Sequence, residues 1–600
     1  MKDYFIKIAS IVLSLSILFF LIFLSVNSWN DFLAVCSSTD VLSWDANLRY
    51  LTSLDIFYNI RELNIVKAAS IFLDSPTWPP FRTVLTLLTI VFSGEPSTVL
   101  DTSISMLFFI LLLPSILYIL YRLNRNNLSL IPFLLIISSA VLIFTFEIKV
   151  YSLSSMLETQ GMFFLLWSVY FAHSIQNSIM KESAVQKYDL TGFSVSFIGL
   201  FFTKYPYGLM FIFAAVIYEI ITNYSGLINL VKYSFKNHLK WFRIIYLSIF
   251  AALFIAVKII APDGGQTLFR KVIYISSLIL FIDFNVLYYR NYKEINKYFS
   301  RAFSAMYLYG FLPAMIWLLI HMDRFNSILD TQSHVQDSQR SYAFSFINEL
   351  FLLKIIPAIF IIFLILWILQ HLWDYKKNRK MNFLTDPYFL SLVLLLGQIF
   401  VMEILTGNKQ LRHIYHLLPA LFVFQASAVM FRISYSRFAE KYKFEFSLAV
   451  LFFAAGLFFL MYKKINDPAI KENIPLCFTG NDKNIFDSPR YFASKIPSHK
   501  KYLLYNNFHM EQYPLHGYAI STDFDILLYK KVFYDGFISR YSKRSKYDMS
   551  RYDSVILISR DCSLPPKFTE FLEIYKLSSI PVQSWTHSST NFCMSEFPVK

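Results

Sequence analysis

The sequence predicts an α-helical polytopic membrane protein of about 13 spans, with a small α/β domain at its C-terminal end. Three observations predict it. Of 600 residues, 56% are hydrophobic and only 16% are charged, where a soluble chain carries about 25% charged residues. The apolar residues fall in blocks of about 17–25, each long enough to cross a bilayer as a helix. After about residue 463 the composition turns mixed and polar, with short strand-like runs. A soluble enzyme, a disordered chain and a secreted module built on disulfides are thereby excluded. The net charge of +15 could suit nucleic acid, but its placement in loops assigns it to membrane topology instead.

The expected spans run roughly 5–26, 103–121, 128–146, 156–173, 191–204, 206–222, 243–261, 268–289, 302–321, 351–373, 386–405, 413–431 and 445–462. Seven segments on the N-terminal side carry about 22 Lys and Arg, and the loops opposite carry about nine. Such an excess marks cytoplasmic loops, so the N-terminus is expected in the cytoplasm of a cytoplasmic (inner) membrane protein. An odd number of spans then puts the C-terminus outside. The first span is read as a true span: its apolar core exceeds the 7–15 residues of a signal peptide, and no small-x-small site follows closely.

Residues 1–462 therefore form the expected membrane domain, with an outer loop at 27–102. Residues 463–600 form the expected extracytoplasmic α/β domain, with strand-like runs at 501–505 and 554–559. Within the loop, Pro79-Pro80 open an apolar run of about eleven residues. That is too short to span and suits a helix in the interface. The four cysteines, Cys36, Cys477, Cys562 and Cys593, all fall on the expected outer side, where thiols oxidise. One bridge within the terminal domain is expected, with the pairing and free thiols both left open. No CxxC or HExxH spacing points to a metal.

Ionisable groups cluster at the outer ends of the spans, where they are costly and read as functional candidates. Asp45 stands just beyond the first span, and Arg49 lies four residues on, one helical turn away. A carboxylate there can serve as a general base; a helix cap or surface ion pair is the plainer alternative. Glu158 starts the fourth span, where the helix dipole alone would also favour it. Lys204 ends the fifth, and Lys409 and Arg412 lead into the twelfth. These cations can hold a phosphate or snorkel to headgroups. His413 and His416 read as interfacial histidines. Arg324 and Arg340, in the loop 322–350, could close over a headgroup or simply be solvated.

In order and side, these motifs resemble the GT-C membrane glycosyltransferases, in the branch of protein O-mannosyltransferases and lipid A aminoarabinose transferases. The likeness runs through an acid after span one, the Pro79-Pro80 helix, Thr203-Lys204 and the Lys409-to-Arg412 entry to Leu417-Leu418-Pro419-Ala420. It covers about residues 1–462. It implies a GT-C-like fold, a polyprenyl-phosphate sugar donor and a lipid, glycan or protein acceptor on the outer side, with membrane lipids and no nucleic acid as partners. It implies catalytic carboxylates at Asp45 and Glu158, with Lys204 and Arg412 at the donor phosphate; Lys409 and Arg49 are expected there by their position beside them. It implies no certain cofactor and allows a divalent metal ion. Two departures stand out: Asp45-Ala46 where the family often has Asp-Glu, and Glu158 where it often has Asp.

Other classes predict other patterns. A lipid-linked glycan transporter needs no first-loop acid. An O-antigen-type polymerase concentrates arginines in one late outer loop. A nucleotide-sugar enzyme would use Asp523 and Asp525 of the Asp-x-Asp run, in a compartment where nucleotide sugars are not expected.

Overall fold

The computed structural model describes residues 2–35, 45–61, 63–74, 79–94, 97–144, 154, 157–180, 184–237, 299–321, 355–378, 387–400, 412–434, 441–465, 487–497, 500–506, 533–535, 549–560, 562–587 and 592–599. The expected spans at 243–261 and 268–289 lie outside them. Each of the other expected spans overlaps helix within its described residues. Five described helices are long and apolar enough to cross a membrane: Tyr4–Ala34, Leu100–Leu123, Tyr205–Thr222, Arg301–Ile320 and Lys443–Lys463.

The first helix, α1 (Lys2–Val35), has 34 residues, about 50 Å of rise against about 30 Å of hydrocarbon. It runs about two and a half turns past the end of the expected span and carries Phe32 into a layer above. There α2 (Asp45–Arg61), α3 (Ile65–Asp74) and α4 (Pro80–Ser93) follow. Pro80 pre-sets the first turn of α4, and Gly94 closes it at φ 74, a conformation that suits glycine. The burial of α4 is inverted for a helix in water. Arg82, Thr83 and Thr86 are buried, while Val84, Leu88, Val91 and Phe92 are exposed. An apolar outer face suits a helix against lipid.

Next comes α5 (Thr98–Leu123), capped by the Ser97 hydroxyl accepting from the Leu100 N–H. The bundle continues through α6 (Ile131–Phe144), α7 (Glu158–Met180), α8 (Lys187–Thr203), α9 (Tyr205–Thr222) and α10 (Tyr224–Asn237). The segment α11 (Arg301–Ile320) contains a π-helical turn at Tyr307–Phe311. Gly310 of that turn lets Phe193 approach, where a Cβ would lie 2.7 Å from its ring. The N-terminus of α11 is capped from α9: the Glu219 carboxylate accepts from Ser300 N–H at 2.7 Å and Ser300 Oγ at 2.6 Å. The remaining helices are α12 (Ile355–Asn378), α13 (Pro387–Phe400), α14 (Arg412–Tyr415), α15 (Leu418–Ser434) and α16 (Lys443–Ile465).

The terminal domain is a five-stranded mixed sheet in the order β2-β1-β3-β5-β4. The strands are β1 (Lys501–Asn506), β2 (Phe533–Asp535), β3 (Ser554–Arg560), β4 (Gln583–Thr586) and β5 (Phe592–Pro598). Strand β1 pairs parallel with β2 and β3, and β5 pairs antiparallel with β3 and β4. Alternate residues of a strand point to opposite faces. Leu503, Val555, Leu557 and Phe597 pack on α18 (Pro566–Ile574) through Phe568, Phe571 and Leu572. Tyr502, Leu504, Ile556, Ile558 and Met594 face the other way, with Phe492 of α17 (Asp487–Lys495). That second cluster is continuous with Phe32 of α1, Tyr50 and Leu54 of α2, Ile90 of α4 and Met106 of α5. The sheet is thereby joined to the layer at the end of the bundle. Cys562 and Cys593 are disulfide-bonded, which settles the pairing that spacing left open. Cys36 and Cys477 lie outside the described residues.

Candidate active site

Two chain reversals build the site. Lys204 sits between α8 and α9 in extended conformation, φ −156 and ψ 115, and serves as C-cap of one and N-cap of the other. Its N–H still donates to Leu200 O at 3.2 Å, and its carbonyl accepts from Tyr207 N–H at 2.9 Å. Pro206, just inside α9, has no N–H to continue α8, so the helix breaks at Lys204. Across from it, α7 begins at Glu158. The Lys204 ammonium lies 3.7 Å from Glu158 Oε1, with both side chains almost fully buried. Coulomb attraction at that depth is several times stronger than in water.

Two aromatic rings complete the wall. Tyr207 and His416 stack at 3.7 Å between centroids and 15° between planes, and the Lys204 ammonium lies 5.1 Å from the Tyr207 ring. Gly161 makes the stack possible: a Cβ there would come within 2.5 Å of Tyr207 and 3.2 Å of His416 Cβ. The carboxylate, the ammonium and the ring pair together offer a proton acceptor, a fixed cation and a flat surface.

The helix α4 connects this site to α2. Ser53 Oγ of α2 donates to Thr83 O at 3.2 Å, and Phe81 meets Phe164 of α7 at 5.3 Å. A buried network holds α4 in place. Arg82 Nη2 lies 3.0 Å from Asp101 Oδ2, and Arg82 Nη1 donates to Ser105 Oγ at 3.0 Å. Thr86 Oγ1 donates to Asp101 Oδ1 at 2.5 Å.

The expected residues divide as follows. Glu158 and Lys204 are brought together directly. Asp45 is the first residue of α2. Arg49, one turn further, is buried, which removes a surface ion pair as its explanation. Arg412 opens the short turn α14, which adjoins α7. Lys409, Arg324, Arg340, Asp523 and Asp525 lie outside the described residues. His416 departs from its reading as an interfacial histidine: it is buried in the stack. Tyr207 and Gly161 were not anticipated either. Their only sequence signal was adjacency to Lys204 and Glu158. Among the described residues no group of three His, Cys, Asp or Glu stands close enough to hold a metal ion.

Fold and site thus define a many-helix protein, with spans of membrane-crossing length and apolarity and a buried ionic centre at one end. No protein-family model matches the chain, and no curated protein matches it. Two solved structures are similar to it over most of its length. ArnT from Cupriavidus metallidurans in the apo state superposes at a TM-score of 0.42, with 11% identity over 96% of this chain and 97% of that one. The same protein bound to undecaprenyl phosphate superposes at 0.34, with the same identity and coverage. Superposition at that level leaves residue roles and substrate to the geometry of this chain.

Proposed function

We propose that the chain is a GT-C-type membrane glycosyltransferase. It moves a sugar from a polyprenyl-phosphate donor to an acceptor hydroxyl at the outer face of the cytoplasmic membrane. The observation that carries the reading is the buried Glu158–Lys204 pair, walled by Tyr207 and His416, at the end of the bundle where α4 also packs on the helix begun by Asp45. A soluble cofactor site would not need an ionic centre at the mouth of a lipid-facing bundle. A lipid-phosphate donor does, because its headgroup is anionic while its tail stays in the hydrocarbon.

The chemistry follows from charge. The acceptor hydroxyl is a weak nucleophile until a base accepts its proton, and Asp45 takes that role. Its oxygen attacks the anomeric carbon, the bond to the lipid phosphate breaks, and the anomeric centre inverts. Negative charge grows on the departing phosphate. Fixed cations stabilise it there: Lys204 and Arg412, with Lys409 and Arg49 as further members of the set. Glu158 holds the Lys204 ammonium in place and serves as the second acid.

The test compares purified Asp45→Asn and Glu158→Gln proteins given lipid-phosphate sugar and acceptor. Asn keeps the size of Asp but cannot take the proton, so transfer should fall about 10²–10⁴-fold with donor binding retained. Near-normal turnover in Asp45→Asn removes that residue from the role, and inactivity of Glu158→Gln alone, in protein that still binds the donor and is folded at the assay temperature, moves the base there. Mass analysis of envelope glycans with and without the protein identifies the product class. A missing sugar supports transfer, whereas an accumulated lipid-linked glycan supports transport instead.

A further inference from the structure

The first turn of α7 holds more polar chemistry than the ion pair uses. Glu158, Thr159 and Gln160 are only 1%, 0% and 0% exposed. Glu158 Oε2, Thr159 Oγ1, and both Gln160 Oε1 and Nε2 have no hydrogen-bond partner among the described residues. Buried polar atoms are nearly always paired, so a run of orphans at one helix end calls for an absent partner. Side chains of a first turn lean toward the N-terminus of their helix. A group seated on that end can therefore meet all three residues at once.

The orphan atoms also select the chemistry of that group. An ionised carboxylate oxygen only accepts, and so does the carbonyl oxygen of a carboxamide; the Thr hydroxyl and the Gln amide can donate. A phosphate has oxygen acceptors alone. It would leave Gln160 Oε1 unpaired and set its charge against Glu158 Oε2. A hydroxyl both donates and accepts, so a group carrying several hydroxyls answers every orphan. We infer that the first turn of α7 is a binding site for a hydroxyl-bearing glycosyl group. Thr159 and Gln160 are its hydrogen-bonding contacts, beside and distinct from the place of the phosphate. The inference rests on the transferase reading above and assigns the sugar-selecting part of that site.

Thr159→Val and Gln160→Met remove the polar atoms at nearly constant volume. Neither should lower the thermal midpoint of the ligand-free protein, because neither removes an existing bond. Binding to the full chain in detergent is then read with three probes: bare polyprenyl phosphate, a set of polyprenyl-phosphate sugars with matched deoxy analogues, and soluble methyl glycosides. Both variants should bind bare polyprenyl phosphate like the wild type, yet lose about tenfold or more for a lipid-phosphate sugar. Gln160→Met should also cease to distinguish that sugar from one deoxy analogue. The same loss confined to a methyl glycoside supports the hydroxyl site and assigns it to the acceptor. Equal loss for bare polyprenyl phosphate makes the turn a phosphate site and overturns the inference. Unchanged binding of every probe overturns it too, whatever the midpoint does. A wild type that binds methyl glycosides with these variant effects, but no lipid phosphate, keeps the hydroxyl site and overturns the transferase reading.

Discussion

Glu158 and Lys204 each make the other tolerable in a buried site. Removing one partner of a buried pair leaves a bare charge, whereas removing both leaves none. Glu158→Gln should therefore destabilise the protein by about 3–5 kcal/mol. The double variant Glu158→Gln with Lys204→Met should recover most of that loss, read from unfolding midpoints in detergent. A double variant no better than the single would show that the two residues are not coupled. On the donor side, Lys204→Ala and Arg412→Ala should each weaken apparent affinity for a polyprenyl-phosphate sugar. The loss expected for a broken charged contact is roughly 2–5 kcal/mol. Unchanged affinity in both variants would remove the two residues from the donor site and leave Lys204 as the partner of Glu158 only.

Among the elements, α4 decides how the layer of α2 and α3 meets the bundle. Its buried side carries Arg82, Thr83 and Thr86 beside Ile90, and its exposed side is apolar; the Arg82–Asp101 network and the Thr86 hydroxyl tie those buried polar groups to α5. Arg82→Met should cost about 3–5 kcal/mol, because it strands the Asp101 carboxylate. Arg82→Met with Asp101→Asn should cost less, and hydrogen exchange across residues 80–93 should rise in the single variant first. On α7, Gly161→Ala places a methyl where Tyr207 already lies. Overpacking of this kind costs about 1–3 kcal/mol. It should also displace the Tyr207–His416 stack, lowering transfer more than stability alone explains. An unaffected turnover would show the stack to be packing only.

For the whole molecule, the arrangement to explain is a sheet domain sharing one apolar cluster with α1, α2, α4 and α5. This continuity is why the terminal domain and the outer loop should lie on the same side of the membrane. Protease added to intact spheroplasts should remove residues 463–600, and protection of that segment would invert the topology. The Cys562–Cys593 bridge closes a separation of 31 residues. In the chain-entropy account a loop of that size contributes about 3.7 kcal/mol. Reduction should lower the unfolding midpoint of the terminal domain, while the membrane helices keep theirs.

The sequence by itself determined the helical membrane character, the coarse positions of the spans and the β1 and β3 strands. Each is a local property: apolar runs such as Leu107–Leu113 and β-rich runs such as Ser554–Ser559 carry their own signal. Charge bias likewise brought Asp45, Glu158, Lys204 and Arg412 forward as residues on one expected face. Only the tertiary structure decided which of them meet. Lys204 and Glu158 are 46 positions apart, and His416 reaches Tyr207 across more than 200; no periodicity encodes a contact between separate helices. The pairing of Cys562 with Cys593, the inward turn of Arg82 and the unpartnered atoms of Thr159 and Gln160 were illegible for the same reason. Burial and hydrogen-bond satisfaction are properties of what the chain packs against, and a side chain's neighbours are set by the fold rather than by its own segment.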